Sequence, residues 1–548
     1  MAKKKKPART ERRGATTGTE RRRMTTRTER RRMTTRTERR RMTTRTERRG
    51  FSPAGPPVRV RMYRQGLGDC FLVTFDVGGD ERHMLIDCGT LGATTTGVRI
   101  SKVVDDIRES TGGHLHLLVA THEHKDHVAG FASQKAAFEA MTVDRVWLAW
   151  TENPADELAK QIAKKRQDLG AALARACQAL AAPASSPDSR ALALAVRDVL
   201  EFSGDPDAPA AFSETINEAM TFVRTGLVRH PRYCNPGDGP IEEDWLPGFR
   251  FYVLGPPRSE AALDDAGTHG SSELYGVAPG LDAGAAFLAS GKRAVDYMSA
   301  GDPGTRDAFV AAQPFDTRFR VERDSAAAGA VLARYASEGE SWRRVDQDWL
   351  RIASDLALQL DKSTNNTSLA LAIERVADGR VLLFPADAQQ GNWLSWHGPG
   401  MVWTVRDAGV ARTVRAQDLL SRTVFYKVGH HASHNATARA QGLELMNRED
   451  ELTAFIPVDR AVALGRHPQG SWRMPAVALY RRLLEKCQGR VVRSDTGWAD
   501  DAANAADASV EGELAELAAA EEWARWRTAQ QASTRVAIAD LFVDFLLE

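Results

Sequence analysis

The chain has 548 residues, 43% hydrophobic and 27% charged, an ordinary globular composition with length for one large decorated domain or two. No apolar run approaches the roughly 20 residues of a membrane span, and the basic start Met1–Lys6 is not followed by a signal peptide's apolar segment. The expectation is therefore a cytoplasmic protein with no membrane insertion. Five scattered cysteines without a CxxC pair exclude a disulfide framework and a cysteine-rich zinc site. The net charge of +2 conceals an asymmetry: residues 1–49 carry 21 Lys and Arg against 5 Glu, and the remainder carries 53 against 67.

Residues 16–49 repeat the nine-residue unit Thr-Thr-Arg-Thr-Glu-Arg-Arg-Arg-Met, with Met24, Met33 and Met42 marking the period. One methionine per unit cannot bury a core, so residues 1–56 are predicted to be a disordered basic tail and linker. Such an arm can hold nucleic acid by counterion release; the alternative is a solvated tail with no selected role.

Alternation then predicts strands at Val58–Arg64, Asp69–Phe75 and His83–Asp87, a helix near Val98–Ser110, and further strands at Leu115–Ala120 and Asp144–Trp150. Two stretches of helical or Gly/Ala-rich character, about 151–247 and 258–360, read as insertions on either side of a strand at Gly248–Gly255. Strand character resumes at Thr367–Arg375, Arg380–Pro385, Thr423–Val428 and Thr453–Val458. Residues 57–500 are taken as one domain and 501–548 as a helical extension, including the apolar end Val536–Leu547. Two strand-rich blocks separated by helical insertions suit a two-sheet sandwich.

Four potential metal ligands fall within six residues, His122, His124, Asp126 and His127, directly after the apolar run Leu117–Ala120. Imidazole and carboxylate are the usual ligands of zinc. A short turn after a strand lets His122 and His124 face one point, while Asp126 and His127 face a neighbouring one.

His-x-His-x-Asp-His after a strand resembles the signature of the metallo-β-lactamase superfamily. Leu382–Asp387 is similar to the strand ending in that family's metal-bridging aspartate. Lys427-Val428-Gly429-His430-His431-Ala432-Ser433 is similar to its late strand with a ligand histidine. With Gly66–Asp69, Leu85–Gly89 and Asn365–Leu369, the order of pieces resembles most closely the hydrolase domain of bacterial competence (DNA-uptake) proteins. The resemblance covers about residues 57–150 and 248–460. It departs from the family where the third histidine of the first metal site has no match, its place taken by Asn365–Ser368. His230 could supply a ligand, but the polar loop around His230-Pro231 points to the surface. Ala386 and Ala432 stand where glycines are expected.

The resemblance implies a four-layered αββα sandwich with helical insertions. It also implies hydrolysis by water activated on one or two zinc ions, or manganese. The implied ligands are His122, His124, Asp126, His127, Asp387, and His430 or His431. Asp126 would orient the water, and His434 or the remaining histidine would meet the substrate or protonate the leaving group. Lys427 and Ser433 would hold an anionic group, or serve the fold alone. The implied substrate is a phosphodiester or other anion. An ester, thioester or lactone, or a degenerate metal-binding scaffold, remain the alternatives. Trp393, Trp396 and Trp403 either line a pocket or pack a core.

Overall fold

Strict alternation shapes the first strand: Val58, Val60 and Met62 face one buried apolar cluster, while Tyr63 belongs to another. A computed structural model of the chain describes residues 55–180, 213–265, 272–275, 325–335, 363–407, 409–465, 472–500 and 517–548, with a few single positions between them. The described residues belong to one compact unit within Ser52–Glu548. The predicted disordered tail, the region between the two helices of the first insertion, and most of 258–360 lie outside the described residues.

The first half of the chain gives β1 (Val58–Tyr63), β2 (Phe71–Val77), β3 (Asp80–Ile86), α1 (Ile100–Ser110), β4 (His114–Leu115), β5 (Leu117–Ala120), α2 (Lys125–Ser133), α3 (Lys135–Glu139), β6 (Thr142–Val143), β7 (Val146–Ala149) and α4 (Glu157–Leu180). The helix Ser213–Thr221 and β8 (Arg232–Cys234) follow. The second half gives β9 (Phe249–Gly255), β10 (Ala370–Arg375), β11 (Arg380–Phe384), β12 (Val402–Asp407), β13 (Val410–Arg415), β14 (Thr423–Lys427), β15 (Thr453–Ile456), β16 (Val491–Arg493), β17 (Gly497–Trp498), β18 (Val536–Ile538) and β19 (Phe542–Leu547).

Two large mixed sheets result, ordered β18-β19-β1-β2-β3-β5-β7-β8 and β17-β16-β15-β14-β11-β10-β9. Their facing side chains form one apolar cluster, crossed by ring pairs such as Phe71–Phe384, Phe75–Phe249 and Trp147–Phe251. The outer face of the first sheet is covered by α1, whose Val103, Val104 and Ile107 are buried, by α2, and by the helix Ser213–Thr221. The outer face of the second meets the helices Gln390–Ser395, Ala416–Leu420, Val477–Lys486 and Ala520–Ala532. Trp393, Trp396 and Trp403 belong to this outer core, which settles their role as packing. No helix among the described residues is long and apolar enough to cross a membrane.

The expected helical extension at 501–548 needs correction. Its described part holds the helix Ala520–Ala532, but the end of the chain is a β-hairpin in which β19 pairs antiparallel with β1 from Val58↔Leu547 to Tyr63↔Phe542. The physical reason is the period. Val543, Phe545 and Leu547 all face the shared core, a spacing of two that places a short apolar run in a sheet. Arg61 on β1 fixes the register by gripping both carboxylate oxygens of Asp544 at 2.9 Å. These residues therefore complete the first sheet and are not an appendage.

The parallel strands set the site. β3, β5 and β7 run parallel in one sheet, and β11, β14 and β15 in the other. The loops at their carboxyl ends carry Asp87, Thr121–His127, Asp387, His430–His431 and Pro457. Ligand sites of α/β sheets form where such ends meet.

Candidate functional site

β5 ends at Ala120, and the chain turns at once into the loop that becomes α2. Two opening loops are pressed beneath it. The N–H of Asp69 donates to the Asp126 carbonyl at 2.8 Å, and that of Cys88 to the His127 carbonyl at 2.8 Å. A Cβ at Gly89 would stand 1.9 Å from the Asp126 carbonyl, so only glycine permits this approach. His122, His124, Asp126, His127, Asp387 and His431 are all fully buried there.

Three of the rings have their outer nitrogen tied down. Thr121 Oγ1 donates to Asp87 Oδ2 at 2.7 Å, so it accepts from His122 Nδ1 at 3.1 Å. His127 Nδ1 donates to Asp87 Oδ2 at 2.7 Å, and His431 Nδ1 to the Pro457 carbonyl at 2.6 Å. Each bond turns an Nε2 towards the centre of the cluster, the arrangement by which proteins orient metal-ligating histidines. Inside, His431 Nε2 lies 2.7 Å from Asp126 Oδ2, and His127 Nε2 lies 3.2 Å from Asp387 Oδ2.

These side chains form two sets that could hold a metal ion, His122/His127/Asp387 and Asp126/Asp387/His431, with the ligand atoms of each within 4.8 Å of one another. Asp387 belongs to both. Asp126 Oδ1, His127 Nε2 and Asp387 Oδ2 are buried without a hydrogen-bond partner. His124 stands beside the sets, its Nδ1 3.1 Å from His122 Nε2.

The electrostatics are lopsided. Asp69, Asp87, Asp126 and Asp387 are all buried, and among the described residues Lys427 is the one permanently charged cation in contact with them. Burial pulls His127 down, but the carboxylates of Asp387, Asp126, Asp69 and Asp87 together carry it well above the usual histidine range. Burial opposes the charge on Asp387 too, yet His127 and Lys427 hold its carboxyl well below the usual carboxylate range. Burial raises Asp69 despite Lys427. Burial also lowers His124 to about 3 and His430 to about 4, which keeps both neutral.

Other expected residues take different places. Lys427 was a candidate for holding an anionic group, but its ammonium is buried and spends its three donors inside the protein. They go to Asp69 Oδ2 at 2.5 Å, the Ala386 carbonyl at 2.8 Å and Asp387 Oδ1 at 3.1 Å. Lys427 is thus a positioning residue for Asp387. His430 lies outside both sets: its backbone N–H donates to Asp387 Oδ1 at 2.9 Å and its Nδ1 meets Ser433 Oγ at 2.8 Å. Of the two adjacent histidines, His431 is the one brought to the carboxylates. His434 is half-buried and outside the sets, and His230 is exposed. Asn365 reaches the cluster's rim, its Nδ2 3.5 Å from His430 Nε2. His430, His431 and Ala432 all have positive φ, as do Asp87 and Ala386. Ala386 and Ala432 thus sit in a backbone conformation that favours glycine.

Sequence reasoning missed the supporting carboxylates Asp69 and Asp87. The available signal was an aspartate directly after a glycine turn and another directly after a buried strand. A third possible set, Asp69, Asp87 and His127, lies behind the His127 ring, and a fourth, His114, His116 and Asp144, lies at the other end of β5. There His114 Nε2 is 2.9 Å from Asp144 Oδ2, the N–H of His83 donates to His116 Nδ1 at 3.2 Å, and the His114 and His116 rings stack. Comparison with protein-family models, with curated proteins and with solved structures finds no match.

Proposed function

We propose that the chain is a divalent-metal-dependent hydrolase with the αββα sandwich of the metallo-β-lactamase superfamily, acting on a phosphodiester or another anionic substrate. The observation that carries the reading is Asp387, shared between two buried ligand sets, each with its histidine rings oriented from outside. The shared core of the two sheets, with helices on both outer faces, supports the sandwich.

The residues fit one or two zinc or manganese ions. Four buried carboxylates hold His127 protonated beside the permanent cation Lys427, a charge that a bound metal ion could take over. Atoms of Asp126, His127 and Asp387 without a hydrogen-bond partner meet at the centre. His122, His127 and Asp387 would hold one ion, and Asp126, Asp387 and His431 a second. A bound cation supplies Lewis acidity and makes water acidic enough to react near neutral pH. Asp126 Oδ1 would orient the attacking water beside the ion it helps to hold. Asp87 and Thr121 hold His122 and His127 in their tautomers, and Lys427 holds Asp387 in place. The basic arm 1–49 would bring a polyanion to the site; salt-sensitive DNA binding that survives removal of the arm would refute that part.

The test is elemental analysis beside hydrolysis of bis-p-nitrophenyl phosphate, for the wild type and the Asp126→Asn/Asp387→Asn variant, with circular dichroism as a control of folding. Stoichiometric metal and activity, both lost in a folded variant, are expected. Metal without phosphodiesterase activity redirects the search to esters, thioesters and lactones. Neither, after reconstitution with zinc or manganese, overturns the reading.

A further inference from the structure

The helical insertion after β7 brings a second group of charges to the edge of the cluster. A cavity of about 560 Å³ is walled by α4, by residues of the segment 213–226, and by Glu123 and Thr364. Glu123 stands between His122 and His124 in the chain, and Thr364 directly precedes Asn365 on the cluster's other rim. The cavity therefore borders the loop that carries His122 and His124, although none of the proposed ligands lines it. Its volume suits a group the size of a nucleotide.

Four cationic side chains line it, Lys160, Lys164, Arg166 and Arg224, against two carboxylates, Glu123 and Glu152. Arg166 is only 7% exposed and is anchored at both tips. One nitrogen lies 2.9 Å from Glu123 Oε1, the other 3.5 Å from Thr367 Oγ1. Its Nε has no hydrogen-bond partner, and its second ion pair, to Glu152 Oε1, is long at 3.9 Å. A buried polar group is costly to leave unmet, so the Arg166 guanidinium keeps capacity for a further partner. Arg224 reaches the Glu152 carbonyl at 3.4 Å and is otherwise partly open. The two lysines make exposed pairs with Glu157 and Asp168, and such pairs are weak enough to yield to a stronger anion. Burial and the neighbouring Glu123 push the Glu152 carboxyl up to about 7, which leaves the wall with excess positive charge near neutral pH.

We infer that this cavity binds a second, non-scissile phosphate group of the substrate, with Arg166 and Arg224 as its main contacts, while the labile bond lies at Asp126 and Asp387. This rests on the hydrolase reading above. Guanidinium is the side chain whose planar fork matches phosphate oxygens, and two of them beside a deep wall give direction as well as charge.

The experiment is equilibrium binding to the full chain of dithymidine joined by a slowly cleaved phosphorothioate, with and without a 5′-phosphate. The ratio of the two Kd values reads the second phosphate alone and is insensitive to general damage. The 5′-phosphate is expected to tighten binding about tenfold in the wild type. Arg224→Ala should bring the ratio close to one, and Lys160→Ala/Lys164→Ala should lower it partway. Arg166→Lys serves beside Arg224→Ala, since complete removal of the buried Arg166 threatens folding. A ratio near one in the wild type, no binding of either probe, or an undiminished ratio in Arg224→Ala overturns the inference. Phosphate-dependent binding by a chain that hydrolyses nothing would keep the site and sink the hydrolase reading. Hydrolysis without phosphate dependence would sink the site alone.

Discussion

Two histidine clusters bracket β5, one at each end, and both bring imidazole and carboxylate atoms close enough for a metal ion. They differ in what the other ring nitrogen does. At the carboxyl end, His122, His127 and His431 each give their Nδ1–H to an oxygen and turn Nε2 inward. At the amino end, His116 Nδ1 accepts from the backbone of His83, so its lone pair is spent on the fold. Charge separates them as well. Four carboxylates are buried at one end, whereas Asp144 at the other is exposed. Residue type and distance are therefore not enough to mark a metal centre; the hydrogen bond on the far side of each ring is the better discriminator.

The comparison breaks most sharply on metal content. His122→Ala should cost more than the roughly 100-fold in metal affinity that loss of a supporting partner costs, while His116→Ala should leave the metal-to-protein ratio unchanged. Equal losses in the two variants, read by elemental analysis after dialysis against a metal buffer, would erase the distinction. Next in size is Asp87→Asn, which keeps the shape but weakens the hold on His127 and Thr121. Metal affinity should fall about 10–100-fold, and competition with a chromogenic chelator measures it.

The amino-end cluster should speak through pH instead. Burial, helped by Arg59, lowers His83 to about 4, and burial with His114 lowers His116 to about 4, against an ordinary 6.5. The unfolded chain thus takes up protons near 6.5 that the folded chain refuses until about 4. Stability falls as pH drops through that window, by about 2 kcal/mol for each ring by about pH 5. His116→Leu should remove its share, so that urea titrations at pH 7 and pH 5 differ less in the variant than in the wild type. The smallest effect is expected at Ala386 and Ala432, held at φ of 52° and 62°. Ala386→Gly and Ala432→Gly should each gain about 0.5–1 kcal/mol in thermal unfolding. A loss at both positions would show that the surrounding loops, and not local strain, set their backbone.

Much of the first sheet and the heart of the site was legible because the signals are local. Alternation marked β1, β2, β3 and β5, and a strand end marked His122–His127. The rest depends on contacts distant in sequence. Lys427 reads as a free cation until Asp69 and Asp387 are seen to surround it. Nothing near His430 and His431 tells which ring turns inward, because Pro457 and Asp126 decide it. In the closing run Phe542–Leu547 the apolar Phe542 and Leu546 mask the alternation of Val543, Phe545 and Leu547, and its partner β1 lies at the far end of the chain. Arg166 on α4 carries no motif at all; only the fold sets it beside Glu123.

That last strand pairing has a kinetic side. β1 meets β2 across a short turn, but it meets β19 through Arg61 and Asp544, which are 483 residues apart in sequence. Contacts of such separation are slow to form because the intervening chain must first give up its freedom. Until β19 arrives, β1 presents an open edge whose backbone can pair with any extended segment. The window for misassembly during folding is therefore set by this hairpin. Aggregation during refolding should be the first property to change when the Arg61–Asp544 grip is weakened.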